Sequence, residues 1–168
     1  MSNALISFVA FASLLSSALG RVISPVDSAL FRIMCLESSG RKIEFHPDGL
    51  SYGYFGLTKI ACDDIGDDFP PKNEYLSARR FFLKCADRAI NLELDDARKS
   101  GIHPNWPIDV LLSFSCGFYH GGSQSSRNSY VQKLLSISDP NDFPLALSAF
   151  KSMLSENASH FSDERSAQ

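Results

Sequence analysis

The chain carries no Gly-x-Ser-x-Gly elbow and no Gly-rich loop behind a strand, which excludes elbow-type serine hydrolases and phosphate-cradling enzymes as readings. It has no Cys-x-x-Cys spacing, and His46, His103, His120 and His160 are scattered, so neither a metal site nor a cofactor is expected. Basic charge is not in excess. The 16 Lys and Arg against 19 Asp and Glu leave a net charge of −3, which argues against nucleic acid and against an anionic membrane surface as partners. There are no internal repeats, and no apolar run reaches the roughly 20 residues needed to span a bilayer.

What the chain does have is globular composition. At 168 residues, 44% hydrophobic and 21% charged, with 13 Phe, it can bury one core without metals or repeats, and one domain acting as a monomer is expected. The first twenty residues contain no charge. Their apolar stretch from Ala4 to Leu15, followed by Ala18-Leu19-Gly20, reads as a signal peptide cut before Arg21, with an uncleaved anchor or a plain N-terminal helix as alternatives. The mature chain, without a transmembrane segment, is then expected to be secreted or periplasmic. Cys35, Cys62, Cys85 and Cys116 all follow that point. An even count in an exported chain fits two disulfide bonds in one of three connectivities, against the alternative of buried free thiols.

Helical punctuation organises residues 21–154 as the folded domain. Ser24 can cap, Pro25 suits a first turn and Asp27 favours its positive end, after which Val26, Leu30, Ile33 and Met34 recur at helical spacing until Ser38-Ser39-Gly40. Asp-Gly after Pro47 marks a tight turn, so residues 42–57 read as a small hairpin turning at His46-Pro47-Asp48-Gly49. Further helices are expected at Thr58 to Ile65, Asn73 to Lys99 (as one helix or two), Pro107 to Tyr119, Ser126 to Leu135 and Asp142 to Leu154. The stripe of the longest is Tyr75, Phe82, Leu83, Ala86, Ile90, Leu94 and Ala97, with breaks at Gly101 and Pro104. Residues 155–168 read as a flexible polar tail, with a formal glycosylation sequon at Asn157. The fold class is mainly α with one small hairpin.

Glu37 is the residue that carries chemistry. It lies eleven positions after Val26, or about 1100° at about 100° per residue, roughly 20° from Val26 after three turns, so it points along the apolar stripe. Burial against such a face disfavours the charged carboxylate and holds the proton to higher pH, the state a general acid needs to protonate a glycosidic oxygen.

Three segments around this residue resemble the signatures of a known family. Glu37-Ser38-Ser39-Gly40, then Ser51-Tyr52-Gly53-Tyr54-Phe55-Gly56-Leu57-Thr58, then Phe118-Tyr119-His120-Gly121-Gly122 look like those of the lysozyme-like, soluble lytic murein transglycosylases, across about Ser24 to Leu135. That family places Met-Gln where this chain has Thr58-Lys59, and Tyr-Asn where it has Tyr119-His120. The resemblance implies a lysozyme-like fold and cleavage of the MurNAc-GlcNAc β-1,4 bond of peptidoglycan. Glu37 would protonate the leaving oxygen and then take a proton from the sugar's 6-hydroxyl, giving 1,6-anhydro ends without water. It further implies that Ser51, Gly56, Thr58, Tyr119 and His120 contact substrate or the acid, with Gly53 allowing close backbone approach and Tyr119 bonding Glu37 or stacking near a sugar.

Two alternatives are open at this point. A lysozyme-type hydrolase, muramidase or chitinase-like, would carry a second acid in the hairpin, where Asp48 and Glu44 lie. An inactive glycan-binding component of the cell envelope would need no acid at all.

Overall fold

The computed structural model describes residues 5–100 and 108–160, the side chains of 93–100 excepted. Expected features at Gly101, Pro104 and Pro107, the stripe residues Leu94 and Ala97, His103 and the tail from 161 onward lie outside the described residues. In chain order the elements are α1 (Phe8–Leu19), α2 (Pro25–Ser38), β1 (Ser51–Tyr52), β2 (Leu57–Thr58), α3 (Lys59–Ile65), α4 (Glu74–Ser100), α5 (Ile108–His120), α6 (Gln124–Leu135), a 3-10 turn (Pro140–Asp142) and α7 (Pro144–Glu156). The architecture is mainly helical with one two-stranded antiparallel sheet, Ser51 opposite Thr58 and Tyr52 opposite Leu57.

Local chemistry sets the limits of α2. Ser24 caps it by accepting the Asp27 amide at 3.1 Å, and Pro25 opens it. The helix stops one residue before the expected glycine: Ser39 itself takes the left-handed conformation, at φ 54°. Gly40 has a different duty, because a Cβ there would sit 2.2 Å from the backbone of Ala146, so its bare backbone lets the first turn of α7 lie against the exit of α2.

The middle of α2 is not one-sided. Every residue from Asp27 to Cys35 is buried, because α1, α4, α5, α6 and α7 all pack against this helix. On α4, one continuous helix, the expected stripe is corrected. Tyr75 and Phe82 are buried, but Leu83 and Ile90 are exposed, and Ala78, Cys85 and Ala89 complete the inward face. Those five recur at three- and four-residue steps, as a buried helical face requires.

The stretch read as a signal peptide forms α1. Phe8, Phe11 and Leu15 are fully buried in the shared core, and the Asp109 carboxylate of α5 accepts the Phe8 and Val9 amides at 2.8 and 3.2 Å. Beneath it lies Arg32, wholly buried, its Nη2 donating to the carbonyls of Ile6 at 2.7 Å and Ile137 at 2.9 Å. Its Nε and Nη1 find no acceptor among the described residues, and the guanidinium instead lies 5.1 and 4.0 Å from the ring centres of Phe8 and Phe11.

Several expectations are revised. All four cysteines are free and buried, each lodged in the core of its own helix, and no disulfide is present among the described residues. Burial pushes every one of these thiols up, that of Cys85 to about 12, so the thiolate needed for exchange is suppressed. Residues 155–160 do not hang free, because Asn157 is buried and its Oδ1 accepts the Asn73 amide group at 2.7 Å while its own amide group donates to Met153. A nitrogen buried in this way has no room for a glycan in the folded chain, so the sequon carries no weight. No helix among the described residues is long and apolar enough to cross a membrane.

Candidate active site

The hairpin differs from the expected one in a way that shapes the site. The chain from 43 to 58 folds as an S, with two reversals. The Pro47-Asp48-Gly49 turn closes as the sequence predicts, with Gly49 N–H donating to His46 at 2.9 Å, and its arms pair through His46 to Ser51 and Gly53 to Ile43. The regular strands lie on the far side of Ser51 and reverse at Gly53-Tyr54-Phe55-Gly56, where both glycines have positive φ, 74° and 62°. This second reversal is the wall of the site. Ser38, directly after Glu37, ties the wall to α2 by donating to the Tyr54 carbonyl at 2.9 Å.

Each wall glycine faces a carboxyl group. A Cβ on Gly56 would lie 2.7 Å from Oε2 of Glu37, and one on Gly53 would lie 2.2 Å from Oε1 of Glu74. Gly56, expected to contact substrate or the acid, lies with its bare backbone against the Glu37 carboxyl group.

Glu37 is half-buried in the last turn of α2, and no basic side chain pairs with it among the described ion pairs. Desolvation dominates its titration and pushes its carboxyl up. The Tyr130 hydroxyl bond and the positive potential from His120 and His46 oppose that rise, while Asp48 adds to it. Its hydrogen-bond partner corrects the sequence reading. Tyr130 of α6, not Tyr119, donates its hydroxyl to Oε1 at 2.7 Å. Tyr119, buried on α5, donates instead to the Phe55 carbonyl at 3.1 Å and packs its ring against Phe81 and Phe82, so it holds the wall rather than the acid.

His120 belongs to the site through Tyr130. The two rings stack with centres 4.3 Å apart and planes 11° from parallel, and His120 Nε2 pairs with Ser126 Oγ at 3.1 Å. The imidazole is exposed at the edge of the site.

Ser51 and Thr58 are employed elsewhere. The Ser51 hydroxyl donates to Asp48 Oδ2 at 2.6 Å, while Asp48 Oδ1 accepts the Leu50 and Ser51 amides at 2.8 and 2.9 Å. These three bonds hold Asp48 down at about 2, although it is exposed. Thr58 caps α3 by accepting the Ala61 amide, and Lys59 pairs with Asp63 on the solvent side. Asp64 and Asp67 are drawn into ion pairs with Lys84, Arg88 and Arg80 that strap α3 and its following loop to α4. The described ion pairs leave Glu44 out, and it lies exposed.

Sequence reasoning missed two residues of the site. Tyr130 is the lone aromatic in a polar helix, QSSRNSYVQKLL, and that isolation was its only signal. Glu74 stands in the first turn of α4, where an acid reads as a helix-end residue. Its Oε1 accepts the Phe55 amide at 2.9 Å, and burial raises its pKa to about 7 against the lowering effect of the Phe55 and Tyr54 amides. Among the described residues no group of three or more His, Cys, Asp or Glu side chains could hold a metal ion. Comparisons with protein families, curated proteins and solved structures return no match.

Proposed function

We propose that the protein cleaves β-1,4-linked amino-sugar strands of the peptidoglycan type on a lysozyme-like fold, with Glu37 as general acid. The observation that carries this reading is the setting of Glu37, half-buried at the end of α2 with one oxygen on Tyr130 and the other against the bare backbone of Gly56. Burial pushes its carboxyl up, whereas hydrogen bonds within its own turn hold exposed Asp48 down at about 2. Two acids separated in this way divide into a proton donor and an ionised partner. Tyr130 occupies Oε1 of Glu37, which leaves Oε2, beside Gly56, to carry the acidic proton.

The reaction begins when that proton passes to the glycosidic oxygen as the bond to the anomeric carbon breaks. The carboxylate of Asp48 stabilises the positive charge that develops on the sugar, and water completes hydrolysis, with Glu37 now acting as base. Gly53 and Gly56 keep side chains out of the wall, and His120 offers a polar contact at the rim. A substrate of this kind lies outside the cytoplasm, so a secreted or periplasmic monomer that keeps α1 in its fold is the matching setting.

A second reading, the lytic transglycosylase, is favoured by one observation. Both oxygens of Asp48 are already engaged within its own turn, so a mechanism needing a single carboxyl suits the site as well. In that case the sugar's 6-hydroxyl attacks the anomeric carbon and returns its proton to Glu37, leaving a 1,6-anhydro end.

Mass spectrometry of the products from purified peptidoglycan separates the two. Reducing ends with water added, together with loss of activity in Asp48→Asn, support hydrolysis; anhydro ends with Asp48→Asn still active support the transglycosylase. Glu37→Gln abolishes either activity. Saccharide binding with no turnover at any pH between 4 and 8 sinks both in favour of a glycan-binding protein.

A further inference from the structure

The reversal at residues 53–56 is gripped from three sides. Ser38 of α2 holds the Tyr54 carbonyl and Tyr119 of α5 holds the Phe55 carbonyl, at 2.9 and 3.1 Å. Glu74 of α4 holds the opposite face, its Oε1 accepting the Phe55 amide at 2.9 Å with the Tyr54 amide also directed to the carboxyl group. Of the three, only Glu74 can change charge at ordinary pH. It reaches the backbone because Gly53 has no side chain: both carboxyl oxygens lie within 2.3 Å of where a Cβ would be. Three residues further on, Gly56 lies against the Oε2 of Glu37.

We propose that Glu74 is the positioning residue of this site, gripping the 53–56 reversal from α4 and so setting how closely Gly56 abuts the carboxyl group of Glu37. The inference rests on the reading of Glu37 as the acid, although the grip itself is a matter of backbone geometry. An anion accepts two amide hydrogens better than a neutral acid does, so the grip tightens as Glu74 ionises and slackens as it takes a proton. His46 and Lys42 favour the ionised form, whereas burial opposes it, placing the change near neutral pH. Tyr119 and Cys62 feel the same carboxylate, and burial pushes both up, so they stay neutral over that range.

The geometry of the grip gives it a clear chemical signature. A displacement of the wall by a fraction of an ångström misaligns the proton donor without removing any substrate contact, so it lowers kcat more than it changes KM. Glu74→Gln retains one amide acceptor of the same length but cannot ionise. Glu74→Asp retains the charge but withdraws it by one methylene.

The test pairs kinetics with hydrogen exchange on the full chain. For Glu74→Asp, kcat on peptidoglycan should fall by about 10- to 100-fold with KM within about twofold, and the Phe55 amide should exchange at least about 10-fold faster. Glu74→Gln should restore most of the Phe55 protection and flatten the pH dependence of that amide's exchange between pH 5 and 8. Unchanged protection of Phe55 in Glu74→Asp overturns the proposal, as does a loss confined to KM. If the wild-type protein shows no turnover, the function proposed above fails, and Phe55 exchange alone then decides the grip.

Discussion

Arg32 and Glu37 stand five residues apart on α2, and burial acts on them in opposite senses. Arg32 lies where α1 crosses α2, and its charge is retained: desolvation lowers its pKa only to about 10, and two carbonyls with two aromatic faces receive the guanidinium. Glu37 lies where the helix emerges against the glycine wall, and desolvation disfavours its charge, with one tyrosine hydroxyl to receive it. One buried charge is received by two carbonyls and two rings, and so ties α1 and the segment at Ile137 to α2. The other has been left nearly alone, so burial favours its protonated form. What separates the two groups on this helix is the ordinary pKa from which burial moves each of them, together with the partners that receive the charge.

The largest expected effect breaks the Arg32 end. A chain beginning at Arg21 loses the burial of Phe8, Phe11 and Leu15, a loss of about 5 kcal/mol or more at ordinary transfer values, comparable with the stability of a whole domain. Circular dichroism on thermal and urea unfolding should show the truncated chain unfolded or only weakly cooperative. Full stability in that chain would mean that α1 is dispensable, as a cleaved leader is. At the other end, Glu37→Gln should lower kcat by about 10²- to 10⁴-fold while leaving the melting temperature essentially unmoved, because glutamine still accepts the Tyr130 hydroxyl.

A milder change at the Arg32 end is Arg32→Met. It strands the carbonyls of Ile6 and Ile137 but also removes a desolvated charge, so a net loss of about 2 kcal/mol is expected in urea unfolding, with kcat unaffected. The smallest effect is that of Tyr130→Phe. Removing the hydroxyl takes away a group that favours ionised Glu37, so the alkaline limb of the pH-rate profile should move to higher pH, at a cost of about 1 kcal/mol in stability. The sign for stability follows from the same shift. A carboxyl raised in the folded state contributes fully below its unfolded pKa, and that contribution is lost as pH rises through the folded value. Glu37 and Glu74 therefore both make the protein more stable in mild acid than above neutral pH, and Glu74→Gln should flatten the part of that slope between about 4.5 and about 7.

The sequence was most legible where partners are neighbours. The opening of α2 at Ser24 and Pro25 and the turn at Asp48 involve groups within three or four residues, so local residue types suffice to name them. Glu37 was found by its phase along the helix. Its hydrogen-bond donor was not, because Tyr130 lies 93 residues away on a helix whose other residues give no apolar stripe. The same holds for Glu74, whose partner amides lie beyond a loop. In the N-terminal twenty residues, the apolar pattern of an export signal and that of a core helix are the same pattern. With those residues present, Phe8 and Phe11 pack on Arg32, a contact that no pattern within the first twenty residues could announce.

The bond between Asn73 and Asn157 extends this logic to time. Asn73 also accepts the Leu76 amide at the start of α4, immediately ahead of Glu74, so a residue from beyond α7 steadies the turn that carries the wall's grip. During synthesis, α2 with its acid leaves the ribosome long before residues 130 and 157 do. The glutamate is therefore an ordinary carboxylate when it first meets water, and its affinity for a proton rises only when the late-made helices close over it.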